Sequence, residues 1–180
     1  LLEYIDMASV DLGFTQGWML ADTGLATAQS FLGKDEFAEV KHLLSRRNFE
    51  DAYLFTVESM KRNHPDVLRW IRDLPYYYET EFDQVFCHAG IDEDAGDLWR
   101  IGTPEEYFTS MPPYYKGKRF ELDVIAGHIS TEFVSEIPGY HDIWFDGASH
   151  YYIDGQTVAT GRIPVLQYDE STGTYSGPGL

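Results

Sequence analysis

Two histidines in this chain share a local setting that suits ligand chemistry. Val85-Phe86-Cys87 is an apolar run fit for a buried strand, and it delivers His88, followed by the small residues Ala89 and Gly90. A second run, Val124-Ile125-Ala126-Gly127, delivers His128 40 residues later. In open α/β sheets, ligands bind beyond the carboxyl ends of the strands, where small residues let a metal or phosphate approach the backbone. Two neutral imidazoles can donate to a borderline transition metal such as Mn, Fe or Zn. A dinuclear centre of that kind polarises a phosphoryl group and turns bound water into a nucleophile at neutral pH.

Two histidines do not complete such a centre, and carboxylates are the missing donors. Asp92, Asp94 and Asp97 are close in sequence, in a loop whose direction is open. One such histidine alone reads better as a core imidazole satisfied by the backbone; the matching context of two favours metal. His42, His141 and His150 lack that context and read as structural or solvent-facing, while His64 precedes Pro65 and reads as a helix start. Arg100 is the candidate phosphate contact, because a guanidinium grips two oxygens at once; a surface ion pair is the competing use. Asp154-Gly155 places an acid at a strand bend or marks a hairpin turn. Cys87 and His88 would point to opposite faces of a strand, which disfavours a Cys-His nucleophile.

The elements that must position these groups come in two styles. Residues 1–75 are expected to be mainly helical: Leu1 to Val10, Leu25 to Phe31 after an Asp22-Thr23-Gly24 turn, Glu36 to Arg47 with Asp35 as cap, Phe49 to Met60, and a helix from Pro65 that Pro75 stops. Gly13 and Gly17 loosen the stretch between the first two. From Tyr76 the pattern turns to strands. Tyr76-Tyr77-Tyr78 and Val85 to Ile91 suggest a hairpin, Pro104 to Ser110 a helix, and Leu122 to Gly127 the second ligand strand. His141 to Phe145, Tyr151 to Thr160 and Arg162 to Tyr168 read as further strands, and the Gly- and Ser-rich tail as poorly ordered.

Composition narrows the partners. A chain of 180 residues with 43% hydrophobic and 16% aromatic content can bury a sizeable core. Thirty acidic against 13 basic residues give a net charge of −17, which leaves no basic stripe for nucleic acid. An anionic substrate would be repelled at long range unless metal ions or a placed arginine supplied local positive charge. No apolar run approaches a membrane span, so no membrane partner is expected. The single cysteine, Cys87, excludes an internal disulfide and a cysteine-rich zinc site and suits a reducing compartment, so the expected location is cytoplasmic.

Taken in order, His88-Ala89-Gly90, Leu98-Trp99-Arg100, Gly127-His128 with Ile129-Ser130-Thr131, and Ile153-Asp154-Gly155 resemble the bacterial calcineurin-like metallophosphoesterases of the serine/threonine protein phosphatase type. Trp18 and Thr23 to Ser30 look like that family's Trp, Gly-Gly, Thr and Ser segment, with Thr23 where the first glycine is usual. The resemblance covers about residues 1 to 170. It implies an α/β fold in which a β-sandwich is flanked by helices in four layers, two divalent transition metals (Mn, Fe or Zn), and a phosphorylated protein or small phosphoester as substrate. His88 and His128 become ligands of one metal, and Arg100 a phosphate contact. The family's first three motifs, an Asp-x-His, a Gly-Asp-x-x-Asp-Arg-Gly and a Gly-Asn-His-Glu/Asp, normally precede the part matched and are absent. The expectation is therefore the C-terminal portion of one phosphatase domain, inactive or weak alone. A dinucleoside polyphosphate hydrolase of the same fold and a non-catalytic protein-binding module are the rival readings.

Overall fold

The computed structural model describes residues 1–7 and 22–180. The expectations for Val10, Gly13, Gly17 and Trp18 fall outside these residues. The chain divides into two compact units, Leu1–Leu74 and Pro75–Leu180.

In the first unit every described element is a helix: Leu2–Asp6, Asp22–Phe31, Lys34–Ser45, Phe49–Asn63 and Pro65–Arg72. Asp22-Thr23-Gly24, expected as a turn, is already helical. The helix Phe49–Asn63 is the centre of the packing. Ala52, Tyr53, Thr56, Val57, Ser59 and Met60 recur at helical spacing and are buried, against Tyr4, Ile5, Ala28 and Leu68. The burial of Thr56 is tolerated because its hydroxyl donates to the Ala52 carbonyl at 2.7 Å. Glu36 closes the start of Lys34–Ser45 by accepting the Gly33 N–H at 2.9 Å, so the cap is Gly33 with Glu36 rather than Asp35. The same carboxylate accepts from Arg62 at 2.6 Å and Asn63 at 2.7 Å, tying that helix start to the end of Phe49–Asn63.

The second unit carries the sheet. Its strands are β1 (Tyr77–Glu79), β2 (Gln84–Cys87), β3 (Asp123–Ala126), β4 (Trp144–Phe145) and β5 (His150–Tyr152), in the order β1-β2-β3-β5-β4. β2, β3 and β5 are parallel, and β1 and β4 pair antiparallel at the two edges. The crossover from β2 to β3 runs through a 3-10 segment Glu93–Leu98 and the short helices Trp99–Gly102 and Glu105–Ser110. It covers one face: Val85 and Val124 pack with Ile91, Phe108, Phe120, Leu122 and the fully buried Trp99. On the other face sits a hairpin of β6 (Gln167–Asp169) and β7 (Thr174–Ser176). The Tyr175 ring meets Tyr151 of β5 at 4.2 Å, and its hydroxyl donates to Asp123 at 3.0 Å and accepts from Gln84 at 2.7 Å.

The α/β class is thus observed: a five-stranded mixed sheet with helices on one side and a two-stranded hairpin on the other. A complete second sheet, which a four-layer sandwich requires, is not formed among the described residues. The strand expected from Tyr151 to Thr160 stops at Tyr152, and Thr157–Thr160 is a helical turn. The tail expected to be poorly ordered is pinned by Tyr175, because an aromatic ring with two polar partners outweighs the glycines around it.

Tyr175 therefore gives a test of this packing. Tyr175→Phe should cost about 1 kcal/mol, the net worth of the lost hydroxyl contacts. Tyr175→Ala should cost about 3 kcal/mol or more through lost ring burial. Urea unfolding measures both; equal, negligible effects would mean that the hairpin does not dock on the sheet.

Candidate metal centre

Because β2, β3 and β5 are parallel and in register, their carboxyl ends reach the same edge of the sheet. Each exit carries a polar side chain: His88 after Cys87, His128 after Ala126 and Gly127, and Asp154 after Tyr152 and Ile153. Backbone hydrogen bonds continue past the strands and hold the exits together. The Gly127 N–H donates to the His88 carbonyl at 2.9 Å, Ile153 N–H to Ala126 at 2.9 Å, and Thr131 N–H to Asp154 at 2.9 Å. A Cβ at Gly127 would stand 3.7 Å from the His88 carbonyl and 3.9 Å from Asp154 Cβ, which shows how closely the three exits converge. At Gly155 a side chain would overlap the His141 carbonyl oxygen and the Pro164 ring, so only glycine fits behind Asp154.

The two expected ligands are brought together. His88 Nε2 lies 3.2 Å from His128 Nδ1, with ring centroids 4.9 Å apart. Two nitrogens bound at about 2.1 Å to one tetrahedral or octahedral ion stand about 3.0–3.4 Å apart, so this spacing fits two donors of a single metal. Both residues are exposed overall, though the His88 ring is partly covered. Burial and the neighbouring His128 ring hold the His88 imidazole below its usual value, against the opposing pull of the Asp154 carboxylate. His88 is therefore neutral, with a lone pair to donate, at pH 7. Asp154 Oδ1 accepts the Gln156 N–H at 3.0 Å, which fixes the carboxylate beside the pair.

His128 occupies a left-handed backbone conformation, φ 63°. An L-residue other than glycine or asparagine loses roughly 1–2 kcal/mol there, and such strain concentrates at functional positions. Gly127 on one side and the Ser130 N-cap of the Thr131–Ser135 helix on the other hold it in place.

The remaining expected groups lie elsewhere. Arg100 is engaged in a two-pronged ion pair with Glu79 of β1, its Nε 2.8 Å from Oε2, and its guanidinium stacks on Trp99 at 4.7 Å. Asp92 and Asp94 face the Tyr115 hydroxyl, at 2.9 and 3.2 Å, rather than the histidines. Among the described residues no group of three His, Cys, Asp or Glu side chains is arranged to hold a metal. Cys87 is a poor nucleophile, since burial and then the Glu93 charge push its thiol up to about 12. The third member at the edge, Asp154, was ambiguous in sequence because Asp-Gly also marks turns; the signal was the aromatic strand Tyr151-Tyr152 running into it, a third copy of the strand-exit pattern.

Metal affinity should follow the protonation of His88. The neutral form prevails above a value lying below about 6.5, so Zn²⁺ affinity measured by calorimetry should be level from pH 7 to 8 and fall as the pH drops below about 6. His128→Gly separates ligand from scaffold: strain relief offsets the lost ring contact, so denaturant unfolding should place it within about 1 kcal/mol of the wild type or above it, while zinc binding weakens about tenfold or more. A larger loss of stability would make His128 a packing residue.

Neither protein-family models, nor curated proteins, nor solved structures match this chain.

Proposed function

We propose that the paired imidazoles of His88 and His128 are one part of the metal centre of a phosphoester hydrolase, with phosphoproteins carrying phosphoserine or phosphothreonine as the substrate class. The observation that carries this reading is the 3.2 Å approach of two ring nitrogens at adjacent parallel strand exits, with Asp154 at the third. A chain of net charge −17 also needs local positive charge to receive a phosphate, and metal supplies it.

In this reading His88 and His128 donate imidazole lone pairs, and the negative charge of Asp154 beside them raises the basicity of the His88 ring, as carboxylates behind metal-bound histidines do. Two divalent transition metals, when bound, polarise the phosphoryl oxygens and lower the pKa of a water to within reach of neutral pH. In the family that the sequence resembles, the other donors come from motifs that the 180 residues do not contain. With two imidazoles as its protein donors, the centre holds metal weakly. Arg100 reaches a phosphate only after exchanging Glu79 for it. The reading carries with it a sandwich in which this sheet is one layer.

The test is metal occupancy followed by turnover. Equilibrium dialysis of the 180-residue chain should show weak Mn²⁺ or Zn²⁺ binding that drops about tenfold or more in His88→Ala. Hydrolysis of a phosphopeptide by the same chain should stay near background. Absence of any binding, or binding indifferent to His88→Ala, would overturn the proposal, as would brisk metal-dependent turnover that survives that substitution.

A further inference from the structure

On the face of the sheet that carries Val85 and Val124, three ionisable side chains meet out of water. His150 opens β5 with its side chain 4% exposed; Glu93 and Asp146 are 7% and 0% exposed. His150 Nε2 lies 2.6 Å from Glu93 Oε1, and Nδ1 lies 2.6 Å from Asp146 Oδ2. A neutral imidazole has one N–H and one lone pair, so it satisfies one carboxylate and turns a lone pair on the other. Two contacts of 2.6 Å therefore require one more proton than a neutral ring between two carboxylates carries.

Asp146 is not where that proton sits. Its Oδ1 accepts N–H groups from Ala148 at 2.8 Å, Ser149 at 3.1 Å and His150 at 3.0 Å, and its Oδ2 accepts Gly117 N–H at 2.7 Å. Burial opposes ionisation there, but these backbone donors and the His150 charge hold the carboxyl below its usual range. The proton lies between Nε2 and Glu93. At His150 burial opposes the charge, and the Glu93 and Asp146 carboxylates overcome it, so the imidazolium persists above its usual value.

Glu93 begins the segment Glu93–Leu98, whose outer residues Asp94, Gly96, Asp97 and Leu98 are exposed. Besides Glu93, Ala95 packs on the core and Asp94 accepts from the Tyr115 hydroxyl at 3.2 Å, so the buried Glu93 side chain is the segment's ionic fastening, and without it the segment joins the parts of a fold that open locally. We propose that the His150 imidazolium is a proton-dependent latch that fastens Glu93–Leu98 to β5 and releases it when the proton leaves.

The groups facing the cluster do not interfere. On β5, Tyr152 stacks 6.2 Å from the His150 ring; Cys87 of β2 feels the Glu93 charge; and Tyr115, with Asp92 and Asp94 at its hydroxyl and Lys118 over its ring, lines the same small cavity as Glu93 and His150. Burial first, then nearby carboxylates, raise both phenols, and the thiol stays protonated up to about 12. All three remain neutral through the mildly alkaline range. A group whose folded pKa is raised stabilises fully below its unfolded pKa, about 6.5 for histidine, and loses that contribution as pH rises through the folded value. For the latch the lower bound is the His150 pKa with the segment open, where Asp146 still faces the ring; between that value and the closed-state value the opening constant increases by up to about tenfold per pH unit.

The full chain tests this without a variant. ¹⁵N-edited NMR of the histidine rings across pH should show His150 with both ring nitrogens protonated at pH 7 and deprotonating above the usual histidine range. Amide exchange over residues 93–98, corrected for intrinsic rates, should show the opening constant rising about tenfold per pH unit up to the His150 transition, then levelling. Glu93→Gln should lower the His150 midpoint by about one unit or more and flatten that pH dependence; if it does not fold, the wild-type titration alone decides. A His150 ring neutral at pH 7, or an opening constant that ignores the His150 transition, would refute the latch.

Discussion

Parallel pairing of β2, β3 and β5 is the constraint on which the second unit depends. Parallel strands end at the same edge, so whatever residue follows each strand is delivered to one place. Here the followers are an imidazole, an imidazole and a carboxylate, and the backbone bonds from Gly127 to His88 and from Ile153 to Ala126 extend the ladder past the strand ends. The crossover segments serve that geometry. Trp99 and Phe108 seal one face, and the hairpin with Tyr175 covers part of the other.

Electrostatics sorts the acidic side chains into two populations. Most of the excess negative charge is on exposed groups, where screening makes it inexpensive. The side chains of Asp146 and Glu93 are buried, and each is compensated. Asp146 gathers three backbone N–H groups from its own turn and a fourth from Gly117, and the pair clamps one imidazolium between them. Buried charges survive only when paired and hydrogen-bonded in this way. The contrast between histidines follows. His150, enclosed by carboxylates, holds its proton; at His88 burial and a second imidazole outweigh the opposing pull of Asp154, and the ring gives its proton up. One residue type performs opposite tasks because its neighbours differ.

Strain and stability diverge at the edge of the sheet. His128 is held at positive φ while its ring stays exposed, so burial of that ring does not explain the backbone conformation. The ring is aimed at His88 instead. By contrast the Arg100 guanidinium, stacked on Trp99 and paired with Glu79, is accounted for by local packing at the β1 edge.

The sequence by itself determined what local pattern can determine. Helical spacing of Ala52, Tyr53, Val57 and Met60 marked the central helix of the first unit, and Pro65 at a first turn marked another. Apolar runs ending in His88 and His128 marked two strand exits, since a strand's alternation and its terminating residue are both local properties. What local pattern does not encode is which strands neighbour one another. Only the tertiary structure put β5 beside β3, which made Asp154 a companion of the histidines rather than a turn residue, and brought Glu93 to His150 from 57 residues away. It also decided where short strands stop, because a strand of three residues is fixed by its partners rather than by its own propensity. A histidine's charge is likewise set by neighbours distant in sequence, so His150, which read as an ordinary structural residue, became a buried cation only once the fold closed around it.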